Sequence, residues 1–133
     1  MADAVTSQTI HDGSRKAVMK FTNISDGTGE SAVTKVDVST LGSYNGNACT
    51  SVQIQKIHAM TDGMGVNILW DATTDVICAT IPQNAFYGYD FAMFSGLTNN
   101  AGAGKNGNVL FTTVGASAGD RYTIILEMIK HYD

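Results

Sequence analysis

Proline is nearly missing from this sequence: Pro82 is the only one in 133 residues. No Pro-rich or Ser/Gly-rich spacer interrupts the chain, so no stretch of it reads as a linker. One domain spanning residues 1–133 is the expectation. Charge is scarce too. Charged residues make up 15% of the chain, against roughly 25% in an average soluble domain. The net charge of −4 comes from 12 acids and 8 bases, and the longest basic run is Arg15-Lys16. A nucleic-acid binder carries a basic patch that neutralises phosphates, so nucleic acid is excluded as a partner. Cysteine is limited to Cys49 and Cys78, with no CxxC spacing. Neither a disulfide framework nor a zinc centre is built from so little. Cys78 lies in the apolar run Val76-Ile77-Cys78-Ala79 and reads as a buried free thiol behaving as a small hydrophobe. No run approaches the roughly 18 apolar residues of a membrane span. The opening MADAVTSQTIHDG has neither the basic start nor the apolar segment of a secretory signal. A soluble chain made in a cytoplasm is expected.

What is present is material for a β core. Hydrophobic residues make up 44%, which sets the chain apart from disordered sequences. Short β-branched segments recur between Gly-containing turns. Ala4–Ile10 reads as a first strand, and residues 1–11 as an extended N-terminal arm or an edge strand. Arg15–Asn23 alternates, with Ala17, Met19 and Phe21 on one face and Lys16, Val18 and Lys20 on the other. In Ala32–Thr40 the alternation sets Thr34, Val36 and Val38 against Lys35 and Asp37. Lys20, Lys35 and Lys56 read as solvated strand positions. Ser51–Met60 changes phase: Val52 and Ile54 share one parity, Ile57 and Ala59 the other, which predicts a one-residue bulge or a bend between sheets. Met64, Val66, Ile68 and Trp70 alternate cleanly. Asp71–Thr74 is a hairpin loop into Asp75–Ile81, where Pro82 ends the strand. Phe86–Phe94 is aromatic-rich, and its spacing fits a strand or an irregular segment equally. Ser95–Asn108 is the longest loop. Val109–Val114 and Arg121–Lys130 complete the set; the last has a helical stripe as well, but its β-branched content favours a strand. Eight or nine strands without βαβ alternation predict an all-β, antiparallel β-sandwich that is jelly-roll-like. The predicted core contains Phe21, Val36, Ile54, Val66, Ile68, Trp70, Ile77, Phe111, Ile124 and Leu126.

No catalytic pattern emerges. Gly102-Ala103-Gly104-Lys105 lacks the first glycine and the Ser/Thr of a phosphate-binding loop, with Asn99 and Asn106 at those positions, and a strand follows it where a helix is needed. His11, His58 and His131 have no zinc spacing, and no nucleophile elbow is present. Asp71 and Asp75, or Asp26 and Glu30, flank turns at a separation that supplies too few oxygens for calcium; Asp at turns ordinarily caps its own backbone. Catalytic residues, cofactor and metal ligands are therefore each expected to be none, and the chain is expected not to be an enzyme.

Several stretches look familiar together. They are Gly13–Asn23, Ser25–Ser31, Val33–Asp37, Ile68–Asp75, Phe94–Gly104 and Gly119–Leu126. The chain from about Asp12 onward resembles a group of small virion proteins of tailed bacteriophages. The resemblance implies a capsid decoration (cement) protein, or a related tail, adaptor or fibre-associated protein, with no catalytic motif. Such proteins are β-rich, often trimeric, and fasten onto the assembled capsid lattice. The implied partners are the chain itself, as a homotrimer, and the major capsid protein. The implied location is the capsid surface of a virion, after synthesis in the cytoplasm of a bacterial host. No contact residue carries over from the resemblance. Met1–His11 and Ser95–Asn108 are the candidate contact elements. From another class, a carbohydrate-binding sandwich would use Trp70 or the Tyr87/Tyr89 pair as a stacking platform.

Overall fold

Side-chain alternation decides where the strands fall. The computed structural model describes residues 4–94 and 96–132, apart from the side chains of Tyr87 and Phe94. Among these residues nine strands form: β1 (Ala4–Asp12), β2 (Lys16–Ile24), β3 (Val33–Val36), β4 (Ser51–Asp62), β5 (Gly65–Trp70), β6 (Val76–Ile81), β7 (Phe86–Asp90), β8 (Val109–Val114) and β9 (Arg121–His131). The segment read as Ala32–Thr40 stays extended only to Val36. Asp37 then caps a short 3-10 turn, Val38–Thr40, by accepting the Ser39 N–H. Phe86–Phe94 likewise divides into β7 and a 3-10 turn at Ala92–Phe94. The closing segment is a strand, with Tyr122, Ile124, Leu126, Met128 and Lys130 all buried on one face.

The pairing is that of one long hairpin rolled up. Strand β2 pairs with β9, β3 with β8, β4 with β7 and β5 with β6, all antiparallel. Pairing of β9 with β4, and of β8 with β5, completes two sheets. Their strand orders are β1-β2-β9-β4-β7 and β3-β8-β5-β6. This is a jelly roll, to which β1 adds an outer fifth strand.

One core joins the sheets. Phe21, Ile54, Ile57, Ile124, Leu126 and Met128 come from the larger sheet, and Val66, Ile68, Trp70, Val109 and Phe111 from the smaller. Phe111 sits among aromatics, edge-on to Phe21 at 5.3 Å and to Tyr122 at 5.8 Å between ring centroids, an arrangement favoured by the ring quadrupole.

Bulges set the phase. In β4, Ile54 pairs with Met128 and Lys56 with Glu127, so Gln55 is the extra residue and the buried parity switches there. Two further bulges overturn expectations. In β6, Ile68 faces Ala79 while Leu69 faces Ile77, which leaves Cys78 as the extra residue. Ile77 is thereby turned outward and is 53% exposed, against its predicted place in the core. Cys78 is half-buried rather than buried, and burial pushes its thiol up to about 12. In β3, Thr34 faces Leu110 and Val36 faces Val109, which leaves Lys35 unpaired in the ladder. Its side chain is 4% exposed, so Lys35 is no solvated strand position. Its ammonium meets Glu30 Oε2 at 2.5 Å, and Glu30 Oε1 accepts the Tyr122 hydroxyl at 2.6 Å. The pair thus ties β3 of one sheet to β9 of the other.

A second buried lysine closes one end. Lys130 continues the buried parity of β9 and is 1% exposed at its side chain. It donates to Asp12 Oδ1 at 2.6 Å and to the carbonyls of Gly13 and Gly42 at 2.9 and 2.8 Å. Asp12 Oδ2 accepts the Gly42 N–H at 2.8 Å. For Asp12, burial acts to raise the pKa. The hydrogen bonds from Lys130 and Gly42, with the charge of Lys130, outweigh it and hold the carboxyl below its ordinary 3.8. For Lys130, burial acts to lower the pKa, but Asp12 and Tyr132 hold it above 10.5. A lowered acid contributes stability that is present above its unfolded value and lost as pH falls through the folded one. A raised base contributes stability that is present below 10.5 and lost as pH rises through its folded value. Melting temperature should therefore fall on acidification below about 4, and Asp12→Asn should flatten part of that fall. An unchanged acid limb in Asp12→Asn would remove Asp12 from the account.

Candidate functional site

The residues singled out for chemistry are dispersed. His58 Nε2 lies 2.9 Å from Glu127 Oε2, and His131 Nε2 lies 2.7 Å from Gln53 Oε1. His11 stands on β1, so the three imidazoles occupy three separate places. Asp75 Oδ1 accepts the Ala72 N–H and Asp26 Oδ1 the Thr28 N–H, as turn caps do. Asp71 Oδ2 accepts from the Asn106 side chain, and Glu30 belongs to the buried pair with Lys35. Among the described residues no three His, Cys, Asp or Glu side chains come together as a metal would require. Gly102–Lys105 leads into β8, a strand. Trp70 is 1% exposed and belongs to the core, so it offers no sugar platform. Tyr89 is half-buried against the core, and the Tyr87 side chain lies outside the described residues.

Surfaces carry more information than side-chain clusters. Every residue of β1 from Ala4 to Asp12 is exposed, on both faces of the strand. Among the described residues it pairs with β2 alone, which leaves its other edge open. Between Ala4 and Ile10 it has no charge and no proline, two of the devices that ordinarily protect an edge. A bulge at Ile10 is the third, because Thr9 faces Met19 and His11 faces Val18. Of the N-terminal contact candidate, Met1–Asp3 lie outside the described residues.

The two sheets differ on their outer faces. Residues opposite one another in a ladder share a face. On the five-stranded sheet this places Lys56 beside Asp90 at 4.0 Å, and Lys16 reaches diagonally to Glu127 at 3.8 Å. On the four-stranded sheet the row Thr34, Leu110, Leu69, Ile77 and the row Thr112, Asn67, Thr80 carry no charge.

A trough of about 840 Å³ opens at one end of the roll. The connection after β3 and the 96–108 loop form its walls, and its floor is Ser51–Gln53 with His131. Ser95, in the loop candidate, lies outside the described residues. Backbone contacts fix the walls. Gly96 has φ +106, and a Cβ there would lie 2.8 Å from the Ile54 carbonyl oxygen. Gly107 has φ +86 and sits so close to the Thr50 carbonyl that a Cβ would overlap it. Only glycine suits such positions. Cys49 is buried in one wall, and burial pushes its thiol up despite nearby hydrogen bonds and Lys130. The loop Ser95–Asn108 was visible in the sequence as a candidate. The trough was not, because Ser39, Gln53, Lys105 and His131 are far apart in the chain. No protein-family model matches the chain, and no curated protein matches it.

Proposed function

We propose that the chain is a virion structural protein of a tailed bacteriophage, a capsid decoration (cement) protein that works as a homotrimer seated on the major capsid lattice. The observation that carries this reading is β1: a nine-residue edge strand, exposed throughout and uncharged from Ala4 to Ile10. Such an edge invites pairing with another chain unless a neighbour covers it. The uncharged outer face of the four-stranded sheet supports the same reading, since it can be covered without stranding a charge. The sequence resemblance to small phage virion proteins supplies the partner. Identical chains close into rings by rotational symmetry, and a trimer matches the three-fold junctions of a coat lattice. Many weak contacts on one lattice then sum to firm attachment through avidity.

The purified protein should sediment at three times the mass of one chain at micromolar concentration. It should co-sediment with undecorated capsids of the phage that encodes it. A monomer that ignores those capsids would overturn the reading.

A further inference from the structure

The far end of β4 from the trough carries a second hollow, smaller and of different chemistry. It holds about 310 Å³ and is lined by Met60, Asp62, Asn84, Phe86, Arg121 and Thr123, over the buried Thr61 and Ala85. Register explains the arrangement. Met60 faces Phe86 on one side and Thr123 on the other, and Asp62 faces Arg121. Strand alternation puts Asp62 on the face of Met60, so all five side chains share the outer face of the larger sheet. Two apolar side chains, Phe86 and Met60, thus lie beside an acid and a base at the end of the sheet. The turn leading into β7 is held in place. Thr61 Oγ1 donates to the Pro82 carbonyl and accepts the Ala85 N–H, both at 2.8 Å. Asn84, at φ +57, accepts the Gly63 N–H through Oδ1 at 3.1 Å, which leaves its amide nitrogen to donate.

The groups that would meet a ligand are not engaged elsewhere. Phe86 is 78% exposed and Met60 45%. Among the described residues the side chains of Asp62, Arg121 and Thr123 make no hydrogen bond or ion pair. One carboxylate and one guanidinium cancel, so the site favours neither sign of charge. The carboxylate accepts, the guanidinium and the amide donate, and the Thr123 hydroxyl does both. Hydroxyl groups around a ring ask for that mixture. An open phenyl face with a methionine beside it takes a flat apolar surface. A pyranose joins the two, with an apolar ring face and a rim of hydroxyls. A nucleic-acid base could stack on Phe86 as well, but its phosphates would meet Asp62 and a chain of net charge −4.

We propose that this hollow binds a neutral saccharide, with one pyranose ring laid on Phe86 and Met60 and its hydroxyls held by Asp62, Asn84 and Arg121. The stacking platform of this sandwich is then Phe86, in place of the buried Trp70. On a virion, many such weak sites would hold a glycan-bearing surface by avidity; the site itself does not rest on the decoration reading.

The test is an NMR titration of the isotopically labelled protein with the methyl glycosides of glucose, galactose, mannose and N-acetylglucosamine. At least one should give saturable shifts at Met60, Asp62, Phe86 and Thr123. Phe86→Ala, a surface change, should weaken that sugar at least about fivefold, and Asp62→Asn should weaken it too. Phe86→Tyr, which keeps the ring, should retain it. Met93→Ala, at an apolar residue that is 94% exposed and outside the hollow, should leave binding unchanged. No saturable shift with any of the four, or binding that survives Phe86→Ala, overturns the proposal. Sedimentation of Phe86→Ala separates the competing reading. An assembly that falls apart in this variant, with no sugar bound by the wild type, would make Phe86 a contact between copies instead.

Discussion

Glu30→Ala should lower the unfolding free energy by about 3–5 kcal/mol, the range for removing one partner of a buried ion pair. Both side chains of the Glu30–Lys35 pair are nearly sealed, at 5% and 4% exposure. The deletion leaves the Lys35 ammonium between the sheets, near the Phe111 ring at 6.0 Å, and the Tyr122 hydroxyl loses this acceptor. Most of the loss comes from the charge left behind, not from the attraction removed. The distinction is measurable. Glu30→Met, Lys35→Met and Tyr122→Phe made together should fall within about 2 kcal/mol of wild type, because a buried pair replaced by apolar groups of similar volume is often neutral or stabilising. Chemical denaturation of the single and triple variants is the measurement. A triple variant as unstable as Glu30→Ala would show that the pair itself, through its link between β3 and β9, holds the sheets together.

The bulges explain which parts of this fold were readable and which were not. Met64–Trp70 and Arg121–Lys130 were legible because their own alternation is unbroken, with a continuous register against β8 and β2 respectively. The phase change in Ser51–Met60 was also legible. There, apolar residues lie on both sides of Gln55, so the switch from Ile54 to Ile57 shows in the side chains themselves. In β3 and β6 the same device leaves no such trace. Lys35 is flanked by Thr34 and Val36, and nothing in those types marks an extra residue. Cys78 stands between Ile77 and Ala79, all of them fit for a core, so the outward turn of Ile77 is decided by the partner strand. Lys130 carries a signal of its own in the sequence, since it keeps the parity of Tyr122, Ile124, Leu126 and Met128. A lysine on that parity is a buried lysine in need of an acid, which Asp12 supplies from 118 positions away. The trough was beyond sequence reasoning for a similar cause: the rolled hairpin brings its floor and walls together from three separate stretches of the chain, around residues 38–53, 98–107 and 131.

Phe111→Ala should cost about 3–5 kcal/mol, the usual range for truncating a buried aromatic, whereas Ile77→Ala should change stability by no more than about 0.5 kcal/mol, as exposed substitutions do. Both residues are large and apolar, and both lie on the four-stranded sheet, so residue type does not separate them. Phase does. Phe111 faces Ile68 across the β8–β5 ladder on the inner side and is fully buried between Phe21 and Tyr122. Truncation there removes two edge-on ring contacts and opens a cavity against side chains from both sheets, which close-packed surroundings fill only in part. Ile77, one bulge away from the inward phase, faces Leu69 on the outer side. Its loss removes contact with that neighbour and opens no cavity between the sheets. Urea unfolding of the two variants measures the contrast directly, with the midpoint reporting stability and the slope confirming that the denatured state is unchanged. A loss above about 1 kcal/mol in Ile77→Ala would place Ile77 in the core and remove the β6 bulge. If Ile77→Ala instead left stability intact but weakened the proposed homotrimer, the uncharged outer face of this sheet would be the surface on which the copies meet.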